Sequence, residues 1–149
     1  MAASSCGKEG DQPCKELYFT ERGTSDLGDV PEPKILKPTD AIIRIAATCV
    51  CGSDLWSYRG FSPVDQPTPM GHEYCGIVEE VGGAVKTVKP GQFVIGSFLA
   101  SDNTCPHCNF GYQSACQQRE FVGGAQAPIL RVPLADGTLV PLPECLPRR

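Results

Sequence analysis

The sequence predicts a mainly β domain, barrel-like, with irregular loops and one small cysteine-bearing lobe. Three observations carry that expectation. Sixteen glycines and fourteen prolines are scattered without period through 149 residues, which favours many short strands joined by turns over long helices or a low-complexity tail. Short apolar runs rich in β-branched residues recur between those turns, as at 40–48, 76–81 and 93–98. An apolar fraction of 41% in a chain of this length is enough for one buried core.

Taken in order, Met1 to Lys15 is polar and aperiodic, and is expected to be a loose extension whose Cys6 and Cys14 are incidental. Residues 16–149 then form one domain. Glu16–Thr20 reads as a short first strand. Arg22 to Pro38, broken by Gly23, Gly28, Pro31, Pro33 and Pro38, reads as an extended connector. Asp40–Thr48 is the first well-marked strand, with Arg44 the only charge inside its apolar run. It delivers the chain into Cys51-Gly52-Ser53-Asp54, a polar turn at a strand end, where chemistry is well supported. A loop to Met70 comes next. Gly76–Val81 is the following strand, turning at Gly82-Gly83, and the Pro90-Gly91 turn leads into a strand over 93–98. Ala100–Gln118 is a polar excursion that carries Cys105-Pro106-His107-Cys108. Ile129–Leu134 and Thr138–Leu142 read as two strands around a tight Asp136-Gly137 turn.

Charge and composition exclude several classes. A net charge of −4 offers no basic footprint for nucleic acid. No apolar run is long enough to span a bilayer, and the N-terminus lacks the apolar region of a secretory signal. The expectation is a soluble, cytoplasmic protein with neither nucleic acid nor membrane as partner. Nine cysteines, an odd count that includes a C-x-x-C, favour reduced thiols over a disulfide framework. Cys49 and Cys75 lie in apolar, strand-like contexts and read as small buried hydrophobes.

The chemistry gathers at two short stretches. The Cys51 thiolate and the His72 imidazole, accompanied by the carboxylates of Asp54 and Glu73, can supply two zinc ligands and two acids to hold or modulate them. A histidine alone would more often be a buried, hydrogen-bonded core residue. With Cys51 and both acids present, zinc is the better reading, at a site only partly contained in the chain.

Gly71-His72-Glu73-Tyr74-Cys75-Gly76 with Gly82 and Val85 beyond it, together with Cys51-Gly52-Ser53-Asp54, Pro90-Gly91 and the 105–108 lobe, resembles the zinc-dependent medium-chain alcohol dehydrogenases. The likeness runs from about Asp29 to Leu142 and covers their N-terminal, GroES-like catalytic half. It implies that Cys51 and His72 are two of three catalytic zinc ligands. It further implies that Ser53 relays the alcohol proton, that Asp54 orients the histidine, and that Glu73 is the acid beside the metal. The substrate would be a small alcohol or carbonyl compound, with NAD(P) as hydride partner; homo-oligomerisation is left open.

Three departures qualify the likeness. Trp56 stands where a second relay histidine would be, and reads either as a pocket wall or as core. The family's lobe pattern C-x2-C-x2-C-x7-C is matched by Cys105 and Cys108, but Gly111 and Arg119 then fall in the third and fourth places and Cys116 is out of register by three. Cys105, Cys108 and Cys116 are therefore candidate ligands that lack a fourth, in a lobe expected to be held by packing and turns. The segment before Val30-Pro31-Glu32-Pro33 matches poorly, which puts the first hairpin in question. No GxGxxG occurs, so the chain is expected to be one half of an enzyme, inactive without a nucleotide-binding half. The alternative is a stand-alone zinc-binding or interaction module on the same fold.

Overall fold

The computed structural model describes residues 13–62 and 64–143, and it is mainly β. Its elements are β1 (Cys14–Glu21), β2 (Thr24–Val30), β3 (Ala41–Thr48), α1 (Asp54–Tyr58), β4 (Thr68–Pro69), β5 (Tyr74–Val81), β6 (Phe93–Gly96), β7 (Leu99–Ala100), α2 (Pro106–Asn109), β8 (Glu120–Phe121), β9 (Ile129–Val132), α3 (Ala135–Thr138) and β10 (Leu139–Pro141). They form a three-stranded sheet in the order β2-β1-β4, a five-stranded sheet in the order β10-β6-β5-β3-β9, and a small β7-β8 pair.

The five-stranded sheet buries one face. Alternate residues of its strands, Ile43, Val78, Val94, Leu130, Val132 and Leu139, turn into a single apolar cluster, as a two-residue side-chain period requires. Each such side chain contributes about 1.5–3 kcal/mol relative to exposure. At the β3–β9 edge the opposite face is covered as well, where Ile42 and Ile129 meet Cys14 of β1. Cys14 is thus not incidental: it is buried, and it is disulfide-bonded to a partner outside the described residues. Cys6 also lies outside them. The expectation of reduced thiols holds for the other six described cysteines, all of which are free.

Three further expectations change. The first hairpin is present: β1 and β2 pair antiparallel through a turn at Arg22-Gly23, with Gly23 at φ +79°, a conformation glycine adopts without penalty. The polarity of its second strand, Thr24-Ser25-Asp26-Leu27-Gly28-Asp29-Val30, masks it in the sequence; it exists because β1 supplies a partner. The strands around Asp136-Gly137 do not pair with each other. β9 adds to β3 and β10 adds to β6, at opposite edges of the sheet, with the Asp-Gly pair inside α3. Asp136 serves the loop instead, accepting the Lys86 and Thr87 N–H groups and the Thr87 hydroxyl at 2.8–3.1 Å. Asp136→Ala should lower stability by about 2 kcal/mol, the scale of charge-assisted bonds, read as a shift of the urea midpoint.

Lastly, neither Cys49 nor Cys75 is core. Cys75 is half-buried because it alternates with buried Tyr74 and Gly76 and so points to the other face of β5. Cys49 is exposed beyond the end of β3, where the ladder to β5 has shifted register between Ile45 and Ala47 with Ala46 unpaired. A bulge of that kind rotates the strand end and redirects the residues beyond it. Here it steers residues 49–51 out of the sheet and toward the N-terminal end of β5. Gly76 sits opposite this bulge, where a Cβ would collide with the Arg44 carbonyl.

Candidate metal centres

Antiparallel pairing of β3 with β5 places the exit of one strand beside the entry of the other, with Thr48 opposite Tyr74. Cys51 lies just after the first and His72 just before the second. The Thr48 hydroxyl straps the two segments together by donating to the Glu73 carbonyl at 2.8 Å. Donor atoms of Cys51, His72 and Glu73 all lie within 4.8 Å of one another. A thiolate, an imidazole and a carboxylate at that spacing suit a tetrahedral zinc ion, with room for a further ligand. The family likeness puts the third protein ligand outside the chain; the geometry brings Glu73 into the group.

Asp54, buried at the first position of α1, bridges both principal donors. Its Oδ2 accepts the Cys51 N–H at 2.8 Å, and its Oδ1 lies 3.3 Å from His72 Nδ1. A carboxylate at Nδ1 fixes the tautomer that carries its proton there and leaves the Nε2 lone pair for a metal. The Ser53 hydroxyl is 3.1 Å from that Nε2. The group opens into a cleft of about 510 Å³ with Phe19, Thr68, Pro69, Phe98 and Phe121 in its walls. The His72 ring meets Phe98 at 5.8 Å and Phe121 at 6.1 Å between centroids. The two phenylalanines, not foreseen from the sequence, shield the imidazole on the cleft side. Trp56 is neither a wall of this cleft nor core: it is 60% exposed and packs edge-on against Phe61, 6.1 Å away.

The lobe holds a second group. Donor atoms of Asp102, Cys105, Cys108 and Cys116 also lie within 4.8 Å of one another. Cys105 Sγ is 3.5 Å from Cys108 Sγ and 4.0 Å from Cys116 Sγ. Those separations are far too long for a disulfide, about 2.05 Å. They bracket the edge of a tetrahedron of thiolates around zinc, about 3.8 Å for Zn–S bonds of about 2.3 Å. Asp102 Oδ1 accepts the Thr104 and Cys105 N–H groups at 2.9 and 3.0 Å, which hold its carboxyl well below the usual range. Backbone N–H groups of Gln117 and Cys108 lower the Cys105 thiol, while burial pushes the Cys108 thiol up to about 12.

The family model for the alcohol dehydrogenase GroES-like domain matches residues 37–144. The chain belongs to that family. Among curated relatives, it is 40% identical over 119 residues to zinc-type alcohol dehydrogenase B of Aspergillus flavus, covering 76% of this chain and 28% of the relative. It is 39% identical over 133 residues to an uncharacterized zinc-type alcohol dehydrogenase-like protein, AdhB, of Bacillus subtilis, covering 78% and 35%. Among solved structures, alcohol dehydrogenase TADH from Thermus sp. ATN1 superposes with a TM-score of 0.81 at 34% identity, covering 87% of this chain and 40% of that one. The chain therefore spans less than half the length of these relatives.

Within this GroES-like domain the lobe register now resolves. Asp102-x2-Cys105-x2-Cys108-x7-Cys116 has the C-x2-C-x2-C-x7-C spacing with aspartate in first place. Setting Cys105 in that first place pushes Cys116 out of step and leaves Gly111 and Arg119 in ligand positions. The signal that finds the register is a carboxylate three residues before Cys105. Packing in the lobe is thin: its buried cluster among the described residues is the three cysteines themselves, while Phe110 and Tyr112 are exposed. No described helix is long and apolar enough to cross a membrane.

Proposed function

We propose that this domain is the catalytic half of a zinc-dependent, NAD(P)-linked alcohol dehydrogenase that interconverts a small alcohol and its aldehyde or ketone. The observation that carries the reading is the convergence of Cys51, His72 and Glu73 on one point, with Asp54 behind the imidazole and Ser53 in front of it. Cys51 Sγ and His72 Nε2 would hold a zinc ion there, with Glu73 as a third donor that can yield to substrate; the ion supplies Lewis acidity toward an alcohol oxygen.

The remaining work falls to side chains of this chain. Ser53 takes the proton released from the alcohol and, being exposed, passes it to solvent directly, since the Trp56 indole is a donor only and cannot shuttle protons. Asp54 keeps the His72 lone pair aimed into the cleft. Phe98 and Phe121 present apolar faces to the substrate's carbon skeleton and keep bulk water from the imidazole. The hydride acceptor would be bound by a segment other than these residues. A second ion at Asp102, Cys105, Cys108 and Cys116 would serve the lobe's folding and lie outside the chemistry.

Zinc titration of the purified chain tests the reading. Two equivalents should bind, and Cys51→Ala or His72→Ala should each remove one of them. Retention of both equivalents in both variants would exclude the assignment.

A further inference from the structure

We propose that Gln126 is a positioning residue that sets the separation of Cys51 from His72; this rests on the reading that those two residues share one cation. The two donors lie on separate loops, and a third loop lies across both. Its backbone is held firmly. The Gln126 N–H donates to the Met70 carbonyl at 3.1 Å, the Ala125 N–H donates to the Gly71 carbonyl at 3.1 Å, and the Gln126 carbonyl accepts the Leu17 N–H of β1 at 3.1 Å. Leu17 in turn accepts the Met70 N–H at 2.8 Å. The base of the Gln126 side chain is therefore fixed relative to the residues that immediately precede His72.

From that base the side chain reaches the other loop. Its methylene stem lies against Gly71, so closely that a Cβ there would collide with Gln126 Cγ; Gly71 also has φ +84°. Its amide Nε2 then donates to the Cys49 carbonyl at 3.3 Å. Cys49 stands two residues before Cys51, in the segment that leaves the sheet after the β3 bulge and has no ladder partner of its own. One half-buried side chain thus presses on the residue before one donor and holds the backbone just before the other. Removing it frees the 49–51 segment to drift while leaving the backbone bonds of residue 126 in place. Partners bonded directly to a metal ligand are worth about 10–100-fold in metal affinity; a strut acting through two residues of backbone belongs at the low end of that range.

The chain has two histidines, which makes the test selective. Zinc is titrated into the full 149-residue chain while the ring resonances of His72 and His107 are followed by NMR. His107 lies in the lobe, with Nδ1 2.6 Å from the Ala115 carbonyl, and is the internal reference for the second group. Gln126→Ala should need about tenfold more zinc for half-saturation of His72, with the His107 response unchanged. Gln126→Met, which keeps the stem and lacks the donor, should show most of that loss, and it decides the matter if the alanine variant does not fold. Superimposed His72 curves for wild type and Gln126→Met, or equal weakening at both histidines, would overturn the role. A wild-type His72 that never responds to zinc would instead overturn the shared-cation reading, and the strut with it.

Discussion

Exchanging Cys116 for serine is expected to cost the chain one zinc equivalent and to unfold the lobe between Ala100 and Glu120 while the five-stranded sheet persists. The reason lies in what the lobe lacks. Among the described residues its buried cluster is Cys105, Cys108 and Cys116 and nothing else, and its large side chains, Phe110 at 80% and Tyr112 at 65% exposure, contribute no core. Two N–H groups, from Asp102 and Gln118, converge on Cys116 Sγ at 3.3 Å, an arrangement that suits a thiolate. Structural zinc is worth about 10–16 kcal/mol in isolated zinc fingers at neutral pH, at or above the whole stability of a typical domain, about 5–15 kcal/mol. Native mass spectrometry should count one zinc in the variant against two in the wild type, and amide exchange should accelerate in residues 101–120 alone. Slow exchange in the lobe of the metal-free chain would remove the metal from its folding. Asp102→Ala should act in the same direction but more weakly, because three thiolates remain.

The second large effect is expected at Asp40, at the start of β3. It is fully buried, and its Oδ2 accepts N–H groups from Leu36 at 3.1 Å and Lys37 at 2.8 Å, as well as Nε–H of Arg131 at 2.7 Å. One carboxylate thus pins the connector to two strands of the sheet. Asp40→Ala should cost about 3 kcal/mol, the lower end of what losing one partner of a buried ion pair costs, since Arg131 keeps some access to water. Burial alone would raise the Asp40 carboxyl, but the Arg131 guanidinium and the two backbone N–H groups outweigh it and hold it below its ordinary value. A carboxyl lowered on folding contributes stability above its unfolded value, about 3.9, and that stability is lost as pH falls through the folded value. Wild-type urea midpoints should therefore decline below about pH 4, and those of Asp40→Asn should start lower and decline less. Equal acid limbs would show that Asp40 carries none of this dependence.

How much of the molecule is legible in its sequence depends on where the information sits. Cys51, Ser53, Asp54, His72 and Glu73 can be read because ligand types at fixed spacing are local, and the 40–48 and 76–81 strands because β-branched runs are local too. Strand partners are not. Nothing in Ile129–Leu134 or Thr138–Leu142 says that they join opposite sheet edges, and an Asp-Gly pair between two apolar runs signals a hairpin whichever way they go. The polar strand Thr24–Val30 owes its existence to β1, and the exposure of Cys49 to a bulge that no propensity encodes. Asp102 escapes notice for another reason: a search among cysteines does not count a carboxylate.

The last rungs of the β3–β5 ladder, Ala47 opposite Cys75 and Thr48 opposite Tyr74, lie at the end of the ladder beside the paired donors. An ion held by Cys51 and His72 would close that end like a rivet. Strand pairs ordinarily unzip from frayed termini, where opening costs least; with one terminus clamped, unzipping must begin at Ala41 and Val81, the far rung. Loading the cation would thereby impose a direction on how this pair comes apart.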